Sequence, residues 1–390
     1  MKIRTRAKLG TSMLIVAALA AAGGAQASAG TSLPRIGTRH VILDFHPHHQ
    51  TLGAVPAATG TTSVKRFSRT VTDGTSTFHI QMVGRNPFVA QTTQTTTIKT
   101  FLVPVRVILP NNDTFDPTVA TSCDTGATPV TRSVQSPVFT SRAYTIGGTA
   151  VGTGQYTDIF RRAEFFAFTK PGGINPGYHT KLNVTTLARQ TVHVPAGSAG
   201  EIGASACGEK TGAMDINFWD NLVVGTLLPA LRAQGVTETT VPIFLFHNVV
   251  MFDGTPGNCC ILGYHSLTQT AAGRQTYGNA DYETSGNFGA TVRDVSTLSH
   301  EVAEWLDDPF TNNPTRPWGH IGQVSGCQNN LEVGDPLSGT NVTVSTSGHT
   351  YHPQELAFFS WFYHSSPSLG VNGLFSNNGT FKTSAAPCTG

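Results

Sequence analysis

The fold of this chain is predicted from the segment Ser299-His300-Glu301-Val302-Ala303-Glu304-Trp305-Leu306-Asp307-Asp308-Pro309. A His-Glu pair opens the motif, and a second Glu follows four residues after the His. The pattern is one residue away from the His-Glu-x-x-His signature of zinc peptidases. Two of the nine Glu residues of the 390-residue chain lie in it. Chance alone gives such a motif on the order of 0.01 times in this composition, so we interpret it as a candidate functional site.

The segment has the pattern of an amphipathic helix. We expect the helix to begin at Asp294 or Ser296 and to end at Pro309, which cannot continue it. At 100° per residue one side is apolar and carries Val295, Leu298, Val302 and Leu306. The opposite side is polar and carries His300, Glu304, Asp307 and Asp308. The sequence therefore predicts a helix whose back packs on a core and whose front is acidic.

Side chains one turn apart on a helix can converge on one ion, and His300 and Glu304 have that spacing. Imidazole and carboxylate are both ordinary zinc ligands. Glu301 projects about 100° away, where a general base would activate the attacking water. The alternative to a metal site is a purely structural helix. Its polar face would be solvated, and His300 and Glu304 would form a surface pair that stabilises the helix by about 0.2–0.5 kcal/mol. A carboxylate in place of the second His also favours a harder ion than Zn²⁺.

A metal site needs at least one more protein ligand. Glu332 is the best candidate, because the 28 residues after Glu304 leave room for a loop to fold back. His320 and Asp335 are rival ligands. Asp308, on the motif itself, is predicted to accept a hydrogen bond from the ring of His300, and Asp335 is predicted to play a similar supporting role.

The motif, with Glu332-Val333-Gly334-Asp335 after it, resembles a group of poorly characterised exported bacterial zincin-like proteins. Gly152-x-Gly154-Gln155-Tyr156-x-Asp158 and Arg162-Ala163-Glu164-Phe165 look like upstream blocks of the same group. A more distant similarity is to plant phosphate-induced, EXORDIUM-like cell-wall proteins. The resemblance implies a zincin-like metal site at His300, Glu304 and Glu332, with Glu301 as the base.

The N-terminus has the pattern of a secretory signal peptide over residues 1–27. It combines a basic start, a short apolar run and the cleavage motif Ala25-Gln26-Ala27. No later stretch is long and apolar enough to span a membrane. We therefore expect a secreted protein, extracellular or periplasmic. The mature chain would carry 21 basic and 23 acidic residues, which argues against a nucleic-acid partner.

An even number of cysteines in an exported chain predicts disulfide bonds. The six candidates are Cys123, Cys207, Cys259, Cys260, Cys327 and Cys388. A Cys123–Cys207 bond would link the first half. Cys259 or Cys260 could reach Cys327, and a vicinal Cys259–Cys260 bond is a further possibility.

The chain is predicted to be α+β, with a change of character near Gly212. An extended leader at 28–60 precedes a β-rich N-terminal domain at 61–211 and a zincin-like domain at 212–390. Strand patterns cover 78–83, 97–109, 178–194, 241–252, 261–267 and 274–282. Helical patterns cover 155–168 and 215–234. Pro104 predicts that its strand lies at an edge or carries a bulge, and His265 is interpreted as a packed strand residue.

These features predict a secreted zincin-type peptidase that uses Zn²⁺ or another divalent ion to activate water and acts on a protein or peptide. The alternative is a non-catalytic exported protein that keeps a structural metal and binds a cell-wall component or another surface partner. A third hypothesis is a glycosidase that pairs Glu301 or Glu304 with Glu332.

Overall fold

The computed structural model describes residues 32–36, 61–204, 207–364, 368, 374–381 and 388. The predicted signal peptide at 1–27 and most of the predicted leader at 28–60 lie outside these residues. Within the described ranges, no helix combines the length and apolarity needed to cross a membrane.

The described residues form an α+β fold that is richer in strand than in helix, with 38% strand and 21% helix. The strands are β1 Arg66–Asp73, β2 Ser76–Val83, β3 Thr95–Ile108, β4 Thr114–Phe115, β5 Arg142–Ile146, β6 Thr149–Gly154, β7 His179–Thr186, β8 Gln190–His193, β9 Ala199–Ile202, β10 Thr211–Asp215, β11 Val241–His247, β12 Val249–Phe252, β13 Cys259–Ile261, β14 Gly263–Gln269, β15 Arg274–Tyr282, β16 Pro314–Ile321, β17 Val324–Asn330, β18 Val344–Thr346 and β19 His349–Tyr351. The α-helices are α1 Pro129–Gln135, α2 Tyr156–Glu164, α3 Phe166–Thr169, α4 Ile216–Leu222, α5 Leu228–Leu231, α6 Ser296–Asp307, α7 Phe359–Tyr363 and α8 Ser376–Gly379. The predicted α+β class is confirmed.

The largest sheet has seven strands in the order β14-β15-β11-β3-β4, with β7 and β8 also pairing with β3. Strands β15, β11, β3, β7 and β8 run parallel to their neighbours, and β14 runs antiparallel at one edge. Strand β3 comes from the first half of the chain and pairs with β11 from the second. The two halves of the chain thus share one sheet. The predicted domain boundary between residues 211 and 212 lies inside β10.

Pro104 lies in the interior of the sheet, so of the two predicted alternatives, an edge or a bulge, the edge position is wrong. Strand β3 pairs with β11 on one side and with two successive strands on the other. The second side pairs with β7 up to Leu102 and with β8 from Val105 onward. Proline has no N–H to donate, and it stands in the gap where the partner strand changes.

The helical segment predicted at 215–234 is continuous but not uniform. Asp215 caps α4 by accepting a hydrogen bond from Asn217 N at 2.7 Å. A π-helical turn at Val223–Leu227 precedes α5, where Pro229 cannot donate to the ladder. A 3-10 turn then ends at Gly235, whose φ of 93° suits a residue without a Cβ. The predicted start and end of the segment are confirmed.

The six cysteines form three disulfide bonds: Cys123–Cys207, Cys259–Cys260 and Cys327–Cys388. The first bond and the vicinal bond are among the predicted possibilities. A bond from Cys259 or Cys260 to Cys327 is wrong, because Cys327 on β17 pairs with Cys388 near the C-terminus instead.

Helix α6 lies on the large sheet and carries the motif. Its apolar side packs in a core cluster with the inward-facing residues of β11, and Leu298 and Leu306 are at most 1% exposed there. The predicted apolar back of the helix is therefore confirmed. The polar side is buried as well, because all twelve residues of α6 are shielded from solvent. The interpretation of this side as a solvated surface is wrong.

Candidate metal centre

The polar side of α6 holds a buried cluster of imidazoles and carboxylates around Glu304. His300 Nε2 lies 3.0 Å from Glu304 Oε2 and 3.6 Å from Asp335 Oδ1. His265 Nδ1, from β14, lies 3.9 Å from the same Glu304 oxygen and 3.5 Å from Glu301 Oε2. Two groups of three potential metal ligands result, His300–Glu304–Asp335 and His265–Glu301–Glu304, and they share Glu304.

Each histidine of the cluster has its outer ring nitrogen held by an oxygen. His300 Nδ1 lies 3.1 Å from Gln354 Oε1, and Gln354 Nε2 in turn donates to the carbonyl of Gly334 at 2.7 Å. His265 Nε2 lies 3.1 Å from the carbonyl of Asp308. An oxygen at the outer nitrogen places the proton there. The inner nitrogens, His300 Nε2 and His265 Nδ1, then present lone pairs to the cluster, as metal-bound histidines do.

Glu304 is held as an ionised carboxylate. Its Oε1 accepts hydrogen bonds from Gly334 N at 2.9 Å and Asp335 N at 3.2 Å. Burial acts to raise the pKa of Glu304, but the positive charges of His300 and His265, when these rings are protonated, and the Gly334 N–H outweigh it and lower this pKa. A buried carboxylate that faces two imidazoles is an environment that suits a bound metal cation.

The distances within the first group fit a small divalent ion. Ligand atoms about 2.1 Å from a tetrahedral zinc ion stand about 3.4 Å from one another. The two separations at His300 Nε2, 3.0 and 3.6 Å, fall on either side of that value. The donor set of one imidazole and two carboxylates also matches ligands that zinc takes in proteins. The residues present therefore fit a divalent metal.

The close approach of the loop after β17 to the helix depends on a glycine. A Cβ on Gly334 would stand 2.4 Å from His300 Nδ1, well inside contact distance. Gly334 thus lets the backbone carry its N–H to Glu304 and its carbonyl to Gln354 without displacing the His300 ring.

The predicted site residues fall into two sets. His300, Glu301, Glu304 and Asp335 come together in the two groups. Glu332 belongs to neither group, and its Oε1 accepts a hydrogen bond from Asn330 at 2.6 Å. Its role as third ligand stays a prediction, and Asp335, its rival, is the residue that the structure brings to His300.

Two other residues have positions that differ from the sequence expectations. The carboxylate of Asp308 accepts from Asn312 N and Asn313 N just after α6, and Gln354 rather than Asp308 faces the His300 ring. His320 groups with Cys327 and Cys388. That group is not a ligand set, because its two cysteines are bonded to each other.

His265 and Gln354 are the residues that sequence reasoning missed. Neither lies in a motif, and a His within a strand pattern is more often a packed residue than a ligand. Comparisons of the chain with protein-family models, with curated proteins and with solved structures found no match. The geometry of the cluster is therefore the basis for a functional proposal.

Proposed function

We propose that the protein is a secreted metal-dependent hydrolase of zincin type, with a peptide as its substrate. The observation that carries the proposal is the buried His300–Glu304–Asp335 group with Glu301 beside it. A structural zinc site is closed by four protein ligands, whereas a catalytic site uses three and keeps a position open. A three-ligand group next to a further carboxylate matches the catalytic pattern.

The residues of the cluster divide into holding and proton-transfer roles. His300, Glu304 and Asp335 would hold the ion, and Gln354 and the Gly334 N–H keep the first two in orientation. A divalent ion bound there supplies Lewis acidity and makes water a nucleophile near neutral pH. Glu301 Oε2 would take the proton from that water and pass it to the leaving amine. His265 Nδ1 lies 3.5 Å from the Glu301 carboxylate and faces the same space.

Zinc is the proposed ion because an imidazole and two carboxylates suit it. Two carboxylates out of three ligands also suit Mn²⁺, so the metal is to be identified in purified protein by inductively coupled plasma mass spectrometry.

The test compares wild type with Glu301→Gln. The variant is expected to keep the metal and to lose hydrolysis of a peptide library, because the amide cannot accept the proton. Glu238→Gln is the matched control, since Glu238 pairs with Arg232 away from both groups, and it is expected to keep both metal and turnover. Metal-free wild-type protein with a normal fold contradicts the proposal.

A second candidate function is favoured by the burial of the cluster. His300 and Glu304 are 0% exposed and Glu301 is 2% exposed. A cavity of only about 10 Å³ touches Glu301, and the cavities of about 440 and 400 Å³ are lined by other residues. An enclosed ion of this kind could stabilise a non-catalytic protein that binds a cell-wall or surface partner. Metal retained without turnover on any peptide of the library selects this function.

A further inference from the structure

A cavity of about 440 Å³ with charged, polar and apolar lining residues lies at the carboxyl ends of parallel strands, on a different part of the sheet from the metal cluster. Arg106 stands near the end of β3, and His247 is the last residue of β11. Ligands of sheets with parallel strands commonly bind outside these ends. The volume falls within the range of about 300–1,000 Å³ that small-molecule sites occupy. The cavity therefore has both the position and the size of a ligand site.

One wall of the cavity is formed by polar residues that are hydrogen-bonded to one another. Glu209 Oε2 accepts from Thr284 Oγ1 and from Asn248 Nδ2, each at 2.7 Å. His247 Nε2 lies 2.8 Å from the same Thr284 hydroxyl. Asn248 is 1% exposed, and its φ of 51° is in the left-handed region. Residues other than glycine adopt this conformation sparingly, and such residues are concentrated at functional sites. The network pre-organises one wall of the cavity.

The carboxylates that line the cavity are already satisfied by groups of the protein. Burial acts to raise the pKa of Glu209, but hydrogen bonds from Thr284 and from the Cys123 N–H lower it to about 2. Asp113 Oδ2 binds Lys210 Nζ at 2.7 Å. Asp116 Oδ1 accepts two bonds from Thr118, and Asp116 Oδ2 pairs with Arg189. These acids have little capacity left for an external cation.

Arg106 is the exception among the charged lining residues. Its Nε–H is buried and donates no hydrogen bond within the described part of the chain. Asp116 Oδ2 is 3.9 Å away from it, beyond hydrogen-bond reach, and is shared with Arg189. The Arg106 side chain as a whole is 35% exposed, and it lines the cavity. The planar Arg106 guanidinium can donate two parallel N–H hydrogen bonds, and a carboxylate has the geometry to accept both.

We propose that this cavity binds a small molecule through a carboxylate that Arg106 receives. The same chemistry is offered by a free organic acid and by the C-terminus of a short peptide. The proposal rests on the cavity and Arg106 alone, so it stands or fails independently of the metal cluster.

The experiment measures binding to the full-length mature protein by ligand-observed saturation-transfer NMR titration. The probes are lactate for a free acid, trialanine for a peptide C-terminus, and trialanine amide as the uncharged match. At least one acid is expected to bind in the millimolar range, and the amide at least about tenfold more weakly, since it loses the charge-assisted bonds. Binding of lactate alone or of trialanine alone supports the proposal and identifies the source.

Arg106→Gln tests the residue directly. It is expected to weaken the bound acid by at least about tenfold, whereas Arg232→Gln, which removes a cation paired with Glu238 elsewhere, leaves the affinity unchanged. Thermal melts of both variants check that the fold is kept. The proposal is overturned if neither acid binds, if the amide binds as well as the acid, or if Arg106→Gln binds like wild type.

Discussion

Replacing Arg161 with Met tests how the protein positions the motif helix. The Arg161 side chain is fully buried and lies between α2 and the end of α6. It pairs with Glu164 Oε1 at 3.2 Å and with Asp307 Oδ1 at 3.1 Å, and it donates to the carbonyl of Leu306 at 2.8 Å. Methionine fills a similar volume but leaves two carboxyl groups buried without a cation.

The expected loss of unfolding free energy follows from the charges of Arg161 and its two carboxyl partners. Burial raises the pKa of Glu164 well above its ordinary value, and it raises the pKa of Asp307 to about 6. The protonated form of Glu164 is therefore favoured, and Arg161 and Asp307 form the charged pair. Removing one partner of such a buried pair costs about 3–5 kcal/mol. We expect Arg161→Met to lower the free energy of unfolding by that amount at pH 7.5.

The assay is urea unfolding followed by circular dichroism, with disulfides intact. A triple variant with Arg161→Met, Glu164→Gln and Asp307→Asn carries no buried charge, so it should recover at least half of the loss. The loss in the single variant should also be smaller at pH 5, which is below the raised pKa of Asp307, because this carboxyl takes up a proton there. A loss below about 1 kcal/mol, or no recovery in the triple variant, refutes the reasoning.

Two further predictions concern residues around the cluster. Burial raises the pKa of Glu355 from 4.5 to about 7, so the protonated form is favoured in the folded state. The stability it contributes is complete below about pH 4.5 and is lost as the pH rises through 7. Glu355→Gln should therefore raise the free energy of unfolding by about 1–2 kcal/mol at pH 8 and leave it unchanged at pH 4, after allowing for partial solvent screening; equal effects at both pH values in urea unfolding contradict this. Gly334→Ala should displace the His300 ring, cost about 1–3 kcal/mol in thermal unfolding and weaken metal binding. Its control, Gly225→Ala, has open space around the added methyl and should not destabilise the fold, so equal losses in the two variants contradict the steric argument.

Local patterns in the sequence predicted the elements that carry the site. The apolar spacing of Val295, Leu298, Val302 and Leu306 identifies α6, and the continuous apolar run at 241–252 identifies buried strand there, although it does not show the break at Asn248 that divides the run into β11 and β12 of different sheets. These predictions succeed because the spacing of apolar residues alone determines which face a helix or strand buries.

Features that depend on distant parts of the chain could not be predicted in the same way. His265 reaches Glu301 only because β14 pairs with β15 at the sheet edge beneath α6. Gln354 reaches His300 across 54 residues of sequence. The burial of the polar face of α6 also follows from tertiary packing. A helical pattern shows that two faces differ, and it does not show what covers the polar one.

The central claim is that the cluster around Glu304 holds one divalent metal ion. The most direct measurement is the metal content of the protein purified without chelator, compared with that of Glu304→Gln. We expect close to one ion per chain in wild type and its loss in the variant, because Glu304 belongs to both ligand groups. A folded wild-type protein without metal, or an equal metal content in Glu304→Gln, contradicts the claim.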